Sequence, residues 1–414
     1  MTTRKIYKKI AFYAALAITT AVNPTLIYAQ QDTLTADTVA TDTIPWPKSM
    51  QLRLDSIIAK AGMLQTSQMG FMVYDLTDDS VLYKRDHRQT LRPASTMKLI
   101  TAITALDRLG ADYSFRTAIR YTGQIIDSTR TLRGDIYCVG GMDPMIDKKE
   151  LHSIALALRE AGIDSIHGNV YADRSMRDDI MYGEGWCWDD NNPMLTALPY
   201  QRKDNFVDVL ATVLEEDSVR LFGSTAIRPC PKGAATIYEL THPLSEVLRP
   251  MLKNSNNMDA ECIYYQLGLT QGRPSTAKKS KAVEEALLKK MGMGDVIHRF
   301  ADGSGLSLYN YVSAELEVAF LRYAHRNSSI FDTLYPTLPI AGVDGTIGDR
   351  MVGTAAASNV HAKTGTLSGI SSLAGYLTAP NGHLLCFAII NQGVMKGIYA
   401  KNLQDRLCAT MCEK

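Results

Sequence analysis

The sequence predicts an α+β protein: an antiparallel sheet assembled from both ends of the chain and faced by helices, with a smaller, mainly β module inserted in the middle. Three observations lead there. Strand-like runs occur near the start, at residues 70–76 and 81–84, and again near the end, at 359–363, 371–377 and 384–390. Apolar helices accompany both groups. Between them, from about Tyr113 to Gly233, the chain breaks into short runs such as 116–121 and 135–139, interrupted by Gly, Asp and Pro. The boundaries that follow are a leader at 1–29, a flexible linker at 30–46, the main domain in two parts (47–112 and 235–414) and an inserted domain at 113–234.

At the N-terminus, Arg4, Lys5, Lys8 and Lys9 precede an apolar stretch at 10–22, and the small residue Ala29 follows. This is the pattern of a secretory signal peptide cleaved near Ala29, so the mature chain is expected to be periplasmic or secreted. The apolar core is short for a membrane span. Cleavage removes four positive charges and takes the formal charge from +1 to −3. Residues 30–46, rich in Thr, Asp and Ala, read as a flexible lead-in. No basic patch with interleaved aromatics is present, which excludes a nucleic-acid partner. Seven cysteines lack metal-ligand spacing and read mostly as small buried thiols; eight histidines form no HExxH string, so neither metal nor cofactor is expected.

The main domain opens with an amphipathic helix near 50–63, then two strands joined by the turn Thr77-Asp78-Asp79-Ser80. Ser95 and Thr96 next open an apolar run through Leu109, free of Pro and Gly until Gly110, which reads as a buried helix. After the insertion come helices at 244–252, with a break expected at Pro250, at 258–267 and at 281–291. An amphipathic helix at 398–412 closes the chain.

Three short strings carry the chemistry. In Ser95-Thr96-Met97-Lys98, residues three apart share a helix face, so Lys98 can touch the Ser95 hydroxyl. A serine needs a base, and a lysine becomes one when burial or a second cation such as Lys363 lowers its pKa. Taken alone the pair reads as well as an N-cap serine before a snorkelling lysine. A second Ser-x-x-Lys string, Ser275-Thr276-Ala277-Lys278, follows a Gly-Arg-Pro turn and reads as a solvated surface segment. Ser255-Asn256-Asn257 lies between two helices, where Ser255 can pass a proton and an amide can hold a carbonyl, or where both simply cap helices. Lys363-Thr364-Gly365 ends a strand. Gly365 lets a ligand approach the backbone, Lys363 and Thr364 can bind a carboxylate, and the N–H groups of Thr366 and Ser95 can form an oxyanion hole.

In this order the strings match the Ser-x-x-Lys, Ser-x-Asn and Lys-Thr-Gly elements of penicillin-binding proteins and serine β-lactamases. Longer stretches narrow the match: Ala94 to Leu99, Gly140-Gly141-Met142-Asp143-Pro144, Gly168 to Asp173, Gly185-Trp186-Cys187-Trp188-Asp189-Asp190, Asp302 to Ser307 and Ala341 to Thr346. With these the chain resembles the D-alanyl-D-alanine carboxypeptidase/endopeptidase family, the class C low-molecular-mass penicillin-binding proteins.

The resemblance implies a β-lactamase-like catalytic domain and an acyl-enzyme hydrolase of peptidoglycan stem peptides, with β-lactams as inhibitors. Ser95 would be the nucleophile and Lys98 its base. Ser255, assisted by Lys363, would relay the proton, Asn257 would hold the acyl-side amide and Thr364 the terminal carboxylate. Asp190 would read the stem-peptide amine beside Trp188, its alternative being a solvated turn; Arg350 and Ser368 match further cleft positions. Asp302-Gly303-Ser304-Gly305 reads as a tight turn that shapes the site without doing chemistry. Little chain remains between Asp190 and Thr236 for a nested third domain. A β-lactamase or esterase on the same fold and a non-hydrolytic penicillin-binding sensor are the alternatives; the first lacks a Glu-x-x-x-Asn deacylation string, and the intact hydroxyls and lysines argue against the second. Peripheral membrane association, oligomeric state and the balance of the two peptidase activities stay open.

Overall fold

Alternating side chains explain the central sheet. In β1 (Gln68–Asp75), Met72 and Tyr74 face one apolar core while Met69, Phe71 and Val73 face another, so nearly the whole strand is buried. A computed structural model describes residues 44–190 and 192–414, and residues 44–414 form one compact unit. The expected signal peptide and most of the linker lie outside the described residues. Among the described residues, no helix is long and apolar enough to cross a membrane.

The chain enters through α1 (Lys48–Ala59), β1, β2 (Ser80–Arg85) and the buried α2 (Met97–Leu109). The middle section comprises β3 (Ser114–Tyr121), β4 (Gln124–Ile126), β5 (Thr131–Arg133), β6 (Ile136–Val139), α3 (Lys148–Glu160), β7 (Ser165–Ile166), β8 (Val170–Asp173), α4 (Phe206–Glu216), β9 (Arg220–Leu221), β10 (Thr225–Ile227) and β11 (Ala235–Pro243). It returns through α5 (Leu244–Lys253), α6 (Asn257–Leu269), α7 (Ala277–Lys290), α8 (Ala314–His325) and α9 (Ser328–Leu334). The end is β12 (His361–Leu367), β13 (Ile370–Thr378), β14 (Leu384–Gln392) and α10 (Gly397–Cys412).

Both ends of the chain build the main sheet, in the order β12-β13-β14-β1-β2 with antiparallel pairing throughout. Residues of α1 and α10 pack on one face, and those of α2, α5, α6, α7 and α8 form the core on the other. The α+β architecture expected from the sequence is thus the one observed. The middle section forms two sheets, β10-β8-β6-β3-β11 and β4-β5-β7-β9, with a core of their own.

Several details differ from expectation. The middle section also contains α3 and α4, whose helical signals were hidden among strand-like runs. For α3 the signal is a capping box: Asp147 Oδ1 accepts from the N–H groups of Lys149 and Glu150, while the Asp147 N–H donates to Glu150 Oε2. β11 pairs with β3, so the second sheet runs on to Pro243, past the boundary read after residue 234. Helices α8 and α9 were also passed over. No break occurs at Pro250, because α5 continues to Lys253; the carbonyl that loses its partner belongs to exposed Glu246. Ser275 is not solvated but fully buried, its hydroxyl donating to the Tyr265 carbonyl at 2.6 Å, and Thr276 caps α7. All seven cysteines are free thiols, five of them buried.

Candidate active site

Ser95 occupies a single 3-10 turn, Ala94–Thr96, that leads directly into α2. That helix is buried on every side from Met97 to Leu106, which forces the Lys98 side chain to stay inside the protein. Its ammonium finds three acceptors: Ser95 Oγ at 3.0 Å, Asn257 Oδ1 at 2.7 Å and the Ser304 carbonyl at 2.7 Å. Burial lowers the Lys98 pKa to about 8, against the opposing pull of Asp302, Glu261 and Asp259. As the free base, Lys98 keeps its two hydrogens on Asn257 and Ser304 and turns its lone pair toward Ser95. That arrangement lets it take the serine proton.

A second lysine mirrors the first. Lys363, on β12, is fully buried, and its Nζ donates to Ser255 Oγ at 2.9 Å and to the Thr364 carbonyl at 2.7 Å. Burial and then the charge of Lys98 hold its pKa well below the ordinary lysine value. Ser255 is held at φ +60°, a conformation that persists only where the surroundings fix it. Fixation comes from both sides: Lys253 Nζ lies 2.6 Å from each oxygen of the Asp344 carboxylate, and Asn256 caps α6 through the Met258 N–H. Next along β12, the Thr364 hydroxyl donates to Thr346 Oγ1 at 2.8 Å.

Gly365 brings the two halves together. A Cβ there would collide with Ser372 Oγ and the Pro93 carbonyl and stand 3.0 Å from the Ser95 nitrogen. Only glycine lets β12 lie this close to the nucleophile turn. The structure thereby gathers Ser95, Lys98, Ser255, Asn257 and Lys363 into one hydrogen-bonded pair of clusters, with Thr364, Gly365 and Thr366 on the adjoining strand.

The outer positions behave differently. Ser368 is exposed in the turn between β12 and β13. Asp190 is partly exposed in a turn, its N–H donating to the Cys187 carbonyl. Trp188 is 94% exposed; the ring that turns inward is Trp186, whose Nε1–H donates to Asp302 Oδ2 at 2.8 Å. The Arg350 guanidinium is taken up by α10, at 2.6 and 2.9 Å from Asp405 Oδ1 and within reach of Gln404 and the Lys401 carbonyl.

Sequence reasoning also missed contacts. The Asp302–Gly305 turn is tight, as expected, but it supplies the Ser304 carbonyl to Lys98. Asp302 holds that turn by accepting from the N–H groups of Gly305 and Ser307 and from Asn310 Nδ2. Glu261 accepts the Ser304 N–H at 2.9 Å. Its signal was available: an acidic residue four positions after Asn257, on the same face of an otherwise buried helix. Among the described residues, the one acid and histidine group close enough to hold an ion is Asp75, Asp78 and His383, in the turns at the edge of the main sheet. There His383 Nδ1 lies 2.8 Å from Asp75 Oδ2.

The model of the D-Ala-D-Ala carboxypeptidase 3 (S13) family matches residues 50–201 and 200–413. The chain belongs to that family. Within it, a D-alanyl-D-alanine carboxypeptidase of Actinomadura sp. (strain R39) is 29% identical, over 84% of this chain and 82% of its own length. Among solved structures, penicillin binding protein 4 from Haemophilus influenzae superposes with a TM-score of 0.79 at 22% identity, covering 86% of this chain and 97% of the other. A predatory peptidoglycan endopeptidase from Bdellovibrio bacteriovorus gives 0.57 at 18% identity, covering 82% and 92%. At these identities the two structural likenesses speak for the fold, while the family model speaks for the S13 assignment.

Proposed function

We propose that this S13 protein is a serine-type D-alanyl-D-alanine carboxypeptidase that also cleaves peptidoglycan cross-links as an endopeptidase and is acylated by β-lactams. The observation that carries the reading is the Lys98 amine nitrogen, buried and bonded to Ser95, Asn257 and Ser304. Ser95 Oγ attacks the carbonyl between two D-alanines as Lys98 takes its proton. The Ser95 and Thr366 N–H groups stabilise the oxyanion. Ser255, oriented by Lys363, relays the proton taken up by Lys98 to the leaving amine, and Thr364 with Lys363 receives the terminal carboxylate. Water then releases the acyl group from Ser95. Asn257 serves twice, fixing Lys98 and holding the acyl-side amide.

The N-terminal charge and apolar pattern supports an exported, periplasmic enzyme, and its substrate is the stem peptide of the cell wall. The section from β3 to β11 forms an inserted domain beside the cleft, and Asp190 reads the amine end of the peptide. The experiment is direct: purified mature protein is incubated with D-alanyl-D-alanine-terminated peptides and with cross-linked dimers, and the products are analysed. Release of D-alanine or cleavage of the dimer is expected. Rapid turnover of a β-lactam without peptide cleavage would instead mark a β-lactamase.

A further inference from the structure

Behind the serine and lysine lies a buried carboxyl group that the proposed chemistry does not use. Glu261 is 1% exposed, on the turn of α6 that follows Asn257. Its Oε1 accepts the Ser304 N–H at 2.9 Å, and the opposite side of that residue, the Ser304 carbonyl, accepts from Lys98 at 2.7 Å. Thr101 of α2 pins the neighbouring Gly303 carbonyl at 2.8 Å. The loop carrying the Lys98 acceptor is therefore clamped between α2 and α6. Asn257 and Glu261 lie one helical turn apart, so a single helix supplies one acceptor of Lys98 directly and fixes the other through the loop.

We propose that Glu261 is a positioning residue that holds the Ser304 carbonyl against Lys98 Nζ and so aims the lysine lone pair at Ser95. The inference rests on the serine mechanism above and names a further residue on which it depends. Lys98 needs both fixed acceptors, because with one missing its hydrogens rotate freely and the lone pair loses its direction.

The charge on Glu261 matters as well as its place. Facing it are Lys98 from α2, Asp302 from the loop and Glu284 from α7, with Tyr264 and Tyr265 on α6 itself. Burial first, and then the Asp302 carboxylate, push Glu261 up to about 8. Glu261 and Lys98 thus titrate in the same range, as a coupled pair. As the pH rises and Glu261 ionises, its charge holds the Lys98 proton more firmly.

The test compares Glu261→Gln, Glu261→Ala and the wild type by their second-order rates of acylation with a fluorescent penicillin across pH 6 to 10, with thermal melting alongside. Glutamine keeps the acceptor and cannot ionise, so the midpoint of the acylation limb should move to lower pH by about half a unit or more. Alanine should slow acylation about 10- to 100-fold. Either an unmoved midpoint in Glu261→Gln or wild-type acylation in Glu261→Ala would overturn the assignment. A purely structural residue would lower the melting temperature and leave the midpoint in place. If Glu261→Ala does not fold, the glutamine variant decides. The mechanism beneath is checked separately with Ser95→Ala: labelling that survives there refutes the serine mechanism itself, whatever Glu261 does.

Discussion

Lys363 Nζ donates to the Ser255 hydroxyl at 2.9 Å from a fully buried position, although 108 residues separate them in sequence. The contact joins the main sheet to the loop between α5 and α6, and it stands beside the Lys98 and Ser95 contact as its counterpart. A buried lysine is costly for stability, and it is retained where it orients a reacting group. Lys363→Met should therefore lower the penicillin acylation rate by about 100-fold or more while leaving the melting temperature unchanged or higher. A fall in both together would count against an orienting role.

With Lys98 as the proposed base, acylation should rise with pH and level off above the Lys98 value of about 8. Well below it, each unit of pH should cost about tenfold in rate. Stopped-flow acylation across pH 6 to 10 measures the limb. A rate that stays flat down to pH 6 would remove Lys98 from the role of base.

Gly365→Ala tests the closeness of β12 to the nucleophile turn. The new methyl group meets the Pro93 carbonyl and Ser372 Oγ, neither of which can retreat without moving backbone or breaking the bond between them. Loss of about 1–3 kcal/mol of stability is expected, together with slower acylation. Denaturant melts and labelling rates measure the two effects.

In the middle section, His242 lies between two carboxylates, with Nδ1 2.7 Å from Asp143 and Nε2 2.5 Å from Glu150. The bond to Asp143 leads in raising its pKa from 6.5 to about 9. A group whose folded pKa is raised stabilises fully below its unfolded value and loses that contribution as pH climbs through the folded one. His242→Ala should thus cost most near pH 6, and the gap in melting temperature from the wild type should close between pH 6.5 and 10. A gap that widens with pH would contradict the imidazolium assignment.

The main sheet was legible because its strands and helices carry unmixed periodicity: β1, β2, β13 and β14 all fall within a few residues of the expected runs. The cluster was legible for a different reason. Ser95 and Lys98 are local neighbours on a helix, and the remaining members come as strings with fixed chemistry. Three-dimensional closeness carries no such mark, which is why the Ser304 carbonyl and Thr346 escaped notice. The pairing of Arg350 with Asp405 on α10 is equally unmarked in the sequence, since a motif position carries no record of its partner. Helices α3 and α4 were hidden because they are set among short strand-like runs, with the Asp147 and Glu150 box the one clear signal of the first.

The site at which a β-lactam attaches decides whether Ser95 is the nucleophile. The mature protein is exposed to benzylpenicillin, its intact mass is measured, and the modified residue is mapped by peptide sequencing in the mass spectrometer, with Ser95→Ala in parallel. One adduct per chain on Ser95, absent from the variant, is the predicted result. An adduct on any other residue, or one that persists in Ser95→Ala, would contradict the central claim.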